Sequence, residues 1–508
     1  MSFISMEFLI FVCVAVLGYY LIPKKCQWMW LLAFSYLFYM SVSIKIVFFL
    51  LFTTLTTYTA GILLDRIQST SEDKMVIKKN KRRVIILTLL LNFGMLAFLK
   101  YANFAIDNVN AIFNSNFIHR NLLLPLGISF YTFQSMGYIL DVYWGKYKPE
   151  RNPFRFALFV SFFPQLLQGP IGRFDRLAHQ FFETHTFDLT RIQLGLQLML
   201  WGYFKKIVIA DRAATVVNKV FSEYTNYTGM TVVIAVLLYS VQLYADFSGG
   251  MDVVMGVAEL FGIRLDANFK RPYFATSITD FWHRWHITLG TWMKDYVFYP
   301  LSLSKWMNRF GKKTKKIFGK KTGRVIPVAL ANVVVFLIVG VWHGAAWKYI
   351  AYGLYNGLII AISNLIAPLY KKGFAISHIN EKSRIWKLFQ ILRTFILVNI
   401  SWYFDMAVSL TAAFVMMKNT VKNFTFSTLT DGSLLMLGLD KKDYVILIFG
   451  CLVWFVISFL QEKGVSIRES VGAKPLVLRW GLYIALLFSI PAFGYVMVTT
   501  GGFIYAQF

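Results

Sequence analysis

Long apolar runs alternate with short basic clusters along this chain of 508 residues. Val84–Leu99 and Val445–Leu460 carry no charge at all. A lipid-facing barrel strand would alternate polar and apolar residues, and these runs do not. Lipid offers no water to free backbone groups, so helices are the spanning structure that fits. The pattern predicts membrane segments at 4–22, 28–41, 45–64, 84–100, 121–142, 154–171, 192–210, 230–246, 250–263, 325–343, 345–370, 386–404, 445–461 and 479–498. Several fall short of the roughly 20 residues that a full crossing needs. The expected fold is therefore all-α and polytopic, one domain over 1–508 with roughly 11–13 transmembrane or re-entrant helices.

Two interruptions stand out. Phe154–Gly172 contains Phe-Phe-Pro and Gln-Gly-Pro and reads as a broken, re-entrant segment, which protein or a cavity must surround. Tyr244-Ala-Asp-Phe-Ser-Gly-Gly250 reads as a break between two helices, with Asp246 or Ser248 capping the second. Basic residues set the orientation: six in Lys74–Arg83, nine in Lys305–Arg324, four in Lys146–Arg155 and four in Lys463–Arg479 all belong on the cytoplasmic side. Region 305–324 is expected as a basic cytoplasmic loop, and the aromatic tail 499–508 as extracytoplasmic. Lys441 and Lys442 then fall outside, offset in part by Asp440 and Asp443. The first apolar run, Phe8–Ile22, lacks a basic leader and a small-residue cleavage site, so it reads as an uncleaved span of a multi-pass cell-membrane protein.

Composition agrees with this picture. Hydrophobic residues make up 57% of the chain and charged ones 15%. The net charge of +27 would suggest nucleic acid in a soluble protein. Here basic loops that orient the chain and lie against anionic membrane lipid account for it, and no nucleic-acid partner is expected. Cys13, Cys26 and Cys451 are scattered, with no zinc spacing.

Ionisable groups at membrane depth face the protein interior or a wet cavity and are functional hypotheses by default. His343 ends the uncharged run Val325–Val341 within Val341-Trp-His-Gly-Ala-Ala-Trp347. The small residues after it let a ligand or backbone approach; an interfacial histidine in a tryptophan belt is the competing reading. A second cluster, Asp280-Phe-Trp-His-Arg-Trp-His-Ile-Thr-Leu-Gly-Thr-Trp-Met-Lys-Asp295, holds His283 and His286, which would share a face of one helix. An amphipathic interfacial helix explains its tryptophans and charges but not two histidines. No carboxylate or cysteine completes a metal set with these histidines. A general base is the better use for imidazole, which titrates near neutrality. No GxSxG elbow, P-loop or dinucleotide fingerprint is present.

The block from Tyr244-Ala-Asp-Phe-Ser-Gly through Asn268-Phe-Lys-Arg-Pro-Tyr to Phe281-Trp-His-Arg-Trp-His-Ile-Thr-Leu resembles the membrane-bound O-acyltransferase family. Trp342-His-Gly-Ala-Ala-Trp347 resembles that family's invariant-histidine motif, and Phe162-Phe-Pro-Gln-Leu-Leu-Gln-Gly-Pro170 and Leu124-Pro-Leu-Gly-Ile-Ser-Phe130 also fit. The branch it looks most like is that of the bacterial alginate O-acetyltransferase membrane subunits, with the teichoic-acid D-alanyl transfer proteins as cousins. The resemblance implies a helical shell around a central funnel or tunnel. It makes His343 the invariant histidine and His286 the second polar catalytic position. Trp342, Trp347, Trp285, Arg284 and Asn356 become the expected substrate-binding residues. It further implies no tightly bound cofactor, acetyl-CoA as the cytoplasmic donor, a surface polysaccharide as acceptor and an extracytoplasmic SGNH-type partner. The ending Phe503-Ile-Tyr-Ala-Gln-Phe508 resembles an aromatic ending in which the tyrosine is an acyl relay, which would make Tyr505 a nucleophile served by His343; anchoring at the outer interface is the other reading.

The chain departs from the family pattern in three places. Asn356 stands where relatives often have histidine, His283 where they often have arginine, and Pro300-Leu-Ser-Leu lacks paired glycines. D-alanyl transfer to teichoic acid is the second enzyme reading. A polymer or lipid transporter would show paired repeats with broken helices, and segment 154–172 has no matching partner.

Overall fold

The computed structural model describes residues 1–70, 72–377, 380–495 and Phe503, and every regular element among them is helical. The N-terminal part runs α1 (Met6–Leu21), α2 (Gln27–Val42), α3 (Ile44–Thr70) and α4 (Lys74–Phe113). Asp73 caps α4 by accepting from the Met75 amide at 2.7 Å. At 40 residues α4 is roughly 60 Å long, twice the hydrocarbon thickness, so its basic start extends past the lipid.

The middle of the chain is more broken. It comprises α5 (Ile128–Tyr143), α6 (Pro153–Ser161), α7 (Phe163–Leu166), α8 (Phe174–Phe182), α9 (Leu189–Tyr203), α10 (Asp211–Ser222) and α11 (Met230–Leu260). A π-helical stretch, Phe204–Ala210, joins α9 to α10. Short helices α12 (Ile278–Arg284), α13 (Ile287–Met293) and α14 (Tyr299–Ser302) follow. The remainder is α15 (Lys305–His343), α16 (Trp347–Ser377), α17 (Arg384–Met406), α18 (Leu410–Val421), α19 (Lys441–Glu462), α20 (Ile467–Gly472) and α21 (Leu476–Phe493). Seven described helices are long and apolar enough to cross a membrane: α3, α4, α11, α15, α16, α19 and α21.

Burial separates a lipid-facing shell from an interior. No side chain of α21 is buried, and α4 and α19 expose rows of leucine, isoleucine and phenylalanine. In contrast, α5 is buried along nearly its whole length, and so is the central stretch of α11. The broken segment 154–171 lies inside this shell. Asn152 caps α6 through the amides of Phe154 and Arg155, and Pro153 occupies its first turn. Pro164 occupies the first turn of α7, and a turn at 167–168 leads the backbone out of it toward Pro170.

Three sequence expectations change here. Segments 230–246 and 250–263 are one helix, α11. Asp246 and Ser248 cap nothing; they face the π-helical stretch, where Lys206 Nζ lies 2.5 Å from Asp246 and Lys205 Nζ donates to Ser248 Oγ at 2.8 Å. The glycines serve contact rather than breakage. A Cβ on Gly202 would come within 2.5 Å of the Gly249 carbonyl, and one on Gly256 within 2.6 Å of the Gly195 carbonyl, so α9 and α11 pack antiparallel, backbone on backbone. Second, region 305–324 is not an irregular loop. It forms a helical hairpin that turns at Gly319 (φ +76°), and Thr314 Oγ1 donates to the Gly323 carbonyl across it at 2.7 Å. Gly319 alone supplies the left-handed conformation that the reversal needs. Third, α18 was not expected; at 12 residues it is too short to show in a membrane-length apolar search. Of the tail 499–508, only Phe503 is among the described residues, and it is fully buried beside Gly250 and the Lys206 ammonium.

Candidate active site

His286 and His343 reach the same place from different directions. Helix α12 ends at Trp285, and His286 adopts a left-handed backbone (φ +45°, ψ +53°) before α13 begins. That conformation is costly for a residue with a Cβ and is held by its surroundings. The Ile287 amide donates to the Asn268 carbonyl (2.9 Å) and the Lys270 amide to the Arg284 carbonyl (2.9 Å), so segment 268–270 satisfies the backbone at the break. Asn268 Oδ1 also accepts from the Thr288 amide (3.0 Å) and hydroxyl (2.9 Å) and lies 3.2 Å from His286 Nδ1. The expected shared helix face of His283 and His286 therefore does not exist. His283 is exposed, and His286 is turned inward and buried.

His343 is the last residue of α15. Gly340 and Gly353 let α15 and α16 touch: a Cβ on either would meet the opposite backbone at 2.3 Å. The imidazole packs on Tyr352 (centroids 5.0 Å apart) and Trp342 (5.2 Å). The indole of Trp342 also meets the His286 ring at 5.5 Å. One tryptophan thus joins two histidines that are far apart in sequence.

Asp405 of α17 completes the arrangement. Its Oδ1 lies 3.7 Å from His343 Nδ1, too long for a hydrogen bond but close for a charge that forms on the ring. Tyr239 donates to the other carboxylate oxygen at 2.7 Å. Lys348 Nζ holds the backbone carbonyls of Asp405 (2.9 Å) and Ala407 (2.7 Å). An imidazole with a buried carboxylate behind it can accept a proton from a hydroxyl and carry the resulting charge.

A narrow, partly open cleft of about 10 Å³ reaches His343. Lys100, Gly127, Ile128, Ser129, Phe130, Leu167 and Trp342 form its other walls. The stretches Leu124–Phe130 and Phe162–Pro170 therefore meet at Trp342 and His343. They are locked together: a Cβ on Gly127 (φ +73°) would sit 2.2 Å from the Leu166 carbonyl, so only glycine fits that turn. The Thr288 hydroxyl accepts from the Ile171 amide at 3.1 Å and ties the same region to the start of α13.

The other expected site residues are spread out. Trp285 is buried one aromatic layer away, against Phe247, whose ring meets His286 at 5.0 Å. Asn356 is buried a turn beyond Tyr352 and donates to its carbonyl at 2.9 Å. Arg284 is engaged by Asp280 (2.9 Å) and Glu462 (3.0 Å), an ion-pair group that ties α12 to α19. Trp347 is exposed and donates to Asn108 at 3.0 Å. Tyr505 lies outside the described residues. Asp405 and Lys100 were missed, although each is a charged residue in or beside an apolar run, the signal that picked out His343.

The model of the membrane-bound O-acyltransferase family matches residues 150–312. The probable alginate O-acetylase of Pseudomonas aeruginosa is 34% identical over 474 residues, 91% of this chain and 84% of that protein. The peptidoglycan O-acetyltransferase of Helicobacter pylori is 32% identical over 444 residues, 81% of this chain and 78% of its own. The teichoic acid D-alanyltransferase of Bacillus subtilis is 30% identical over 257 residues, 50% of this chain and 62% of its own.

Proposed function

This chain belongs to the membrane-bound O-acyltransferase family and is a multi-pass membrane acyltransferase, and from that footing we propose that it O-acetylates a cell-surface polysaccharide. The observation that carries the reading is the meeting of His286 and His343 on Trp342, with Asp405 beside His343 and a narrow cleft that His343 lines. The relatives of greatest coverage above act on polysaccharides.

In this reading the donor is an acyl thioester on the cytoplasmic side, acetyl-CoA. An acceptor hydroxyl attacks the acyl carbonyl carbon while the His343 imidazole takes its proton, stabilised by Asp405. Collapse expels the thiolate, which takes that proton back as thiol. His286 shapes the opposite wall through Trp342. The acceptor hydroxyl belongs to the polymer, to Tyr505 as a relay, or to an extracytoplasmic SGNH-type partner that completes the transfer. With the basic hairpin 305–324 inside, His343 lies toward the outer face.

His343→Ala should abolish alkali-labile acetate on the cell surface while the protein still inserts at normal levels. Retained acetate in that variant would sink the reading. D-alanyl transfer, the second reading, rests on the Bacillus subtilis similarity over half the chain. It predicts alkali-labile D-alanine instead, lost in the same variant.

A further inference from the structure

The cleft beside His343 holds donors that the fold leaves unused. Ser129 is 5% exposed, and its hydroxyl has no hydrogen-bond partner among the described residues. Ser129 and Phe130 are the second and third residues of α5, and neither amide makes a backbone hydrogen bond among the described residues. The residue before the helix, Gly127, offers no capping side chain. Lys100 Nζ donates to the Trp342 carbonyl at 2.6 Å, which leaves two of its three donors. The residues that carry these groups line the same cleft as His343.

Buried donors left unpaired call for an explanation. Here they gather on one cleft: a helix start carries partial positive charge, and Lys100 brings a full one to the same lining. The remaining walls, Ile128, Phe130 and Leu167, are apolar. Such a place suits a small group with one oxygen that becomes negative.

We propose that Lys100, Ser129 and the first-turn amides of α5 form the oxyanion hole for the acyl carbonyl oxygen. The inference rests on the acyl-transfer reading above. As the attacking hydroxyl bonds to the carbonyl carbon, its proton passes to His343 and the carbonyl π electrons move onto oxygen. That oxyanion accepts from Lys100 Nζ, Ser129 Oγ and the amides. It then re-forms the double bond as the thiolate leaves and takes the proton from His343. The donors hold a charge that exists only in the transition state and intermediate, so they raise turnover rather than affinity.

The test uses cells that carry the full chain as wild type, His343→Ala, Ser129→Ala, Lys100→Met or Lys100→Arg, at matched membrane levels. The initial rate of surface acetylation is followed by labelled acetate incorporation, and melting temperature is read on the purified proteins. Ser129→Ala removes a hydroxyl that holds nothing in the fold, so its melting temperature should equal that of wild type while the rate falls at least about tenfold. Lys100→Met should fall similarly, and Lys100→Arg should recover part of the rate. Ser129→Ala and Lys100→Met both within twofold of wild type, with His343→Ala inactive, would overturn the oxyanion hole and leave acyl transfer standing. An active His343→Ala would overturn the acyl-transfer reading first, and the hole with it.

Discussion

Asp405→Asn is the substitution that most directly tests the chemistry at His343. The two carboxylate oxygens do separate things: Oδ1 faces His343 Nδ1 at 3.7 Å, and the other accepts from Tyr239. Asparagine has the same shape, can still accept from Tyr239, and leaves the Lys348 contacts untouched because those go to backbone carbonyls. What it removes is the negative charge behind the ring. At 3.7 Å, with an effective dielectric of about 20, the attraction between that charge and an imidazolium is roughly 4 kcal/mol. The amide dipole returns part of it, so turnover should fall by about a hundredfold to a thousandfold. The loss should appear in turnover and spare the substrate KM, because the imidazolium exists only while the proton is in transit. The assay is initial-rate acetylation at varied donor concentration, with melting temperature as the control for folding. A variant within threefold of wild type would refute the view that Asp405 supports the charge on His343.

Two further outcomes are expected. Lys206→Met should lower stability by several kcal/mol, because it leaves Asp246 and Asp211 buried without the ammonium that sits 2.5 Å and 2.8 Å from them; thermal unfolding in detergent reads this, and the double variant with Asp246→Asn should recover part of the loss. For Tyr505, intact-mass measurement after a single turnover with acetyl-CoA should show an acetyl adduct that is absent in Tyr505→Phe, and a missing adduct in the active wild type would remove the relay.

The membrane helices were legible because hydrophobic runs of span length have one physical meaning in lipid. α19 and α21 match their predicted segments within a few residues. The misreadings came from residues whose role depends on a partner distant in sequence. Gly249 and Gly250 look like a break until Gly202 and Gln168 are brought against them. Asp246 looks like a cap until Lys206 is found beside it. His283 and His286 look like a pair because three-residue spacing means a shared face on a helix, but the helix ends between them. His343 was found because its own neighbours are apolar. Asp405 stands one residue past the predicted segment 386–404, where a charge at the end of a span is unremarkable.

The breaks in the backbone point to the site more reliably than the polar residues do. Free amides at membrane depth are tolerable only inside protein or beside a cavity. The chain interrupts its helices at Gly127, at Pro164 to Pro170, at Trp285–His286 and at Gly344. Gly127, Leu167 and His343, from three of these interruptions, line one cleft, and the fourth reaches it through Trp342. A continuous helix would have satisfied these amides internally and offered the cleft nothing. Starting α5 at a glycine turn, against the carbonyl of a broken helix, leaves the amides of Ser129 and Phe130 without a backbone acceptor among the described residues, beside His343 in the lining of the cleft. The same discontinuity that costs backbone hydrogen bonds therefore leaves free the donors proposed for acyl transfer.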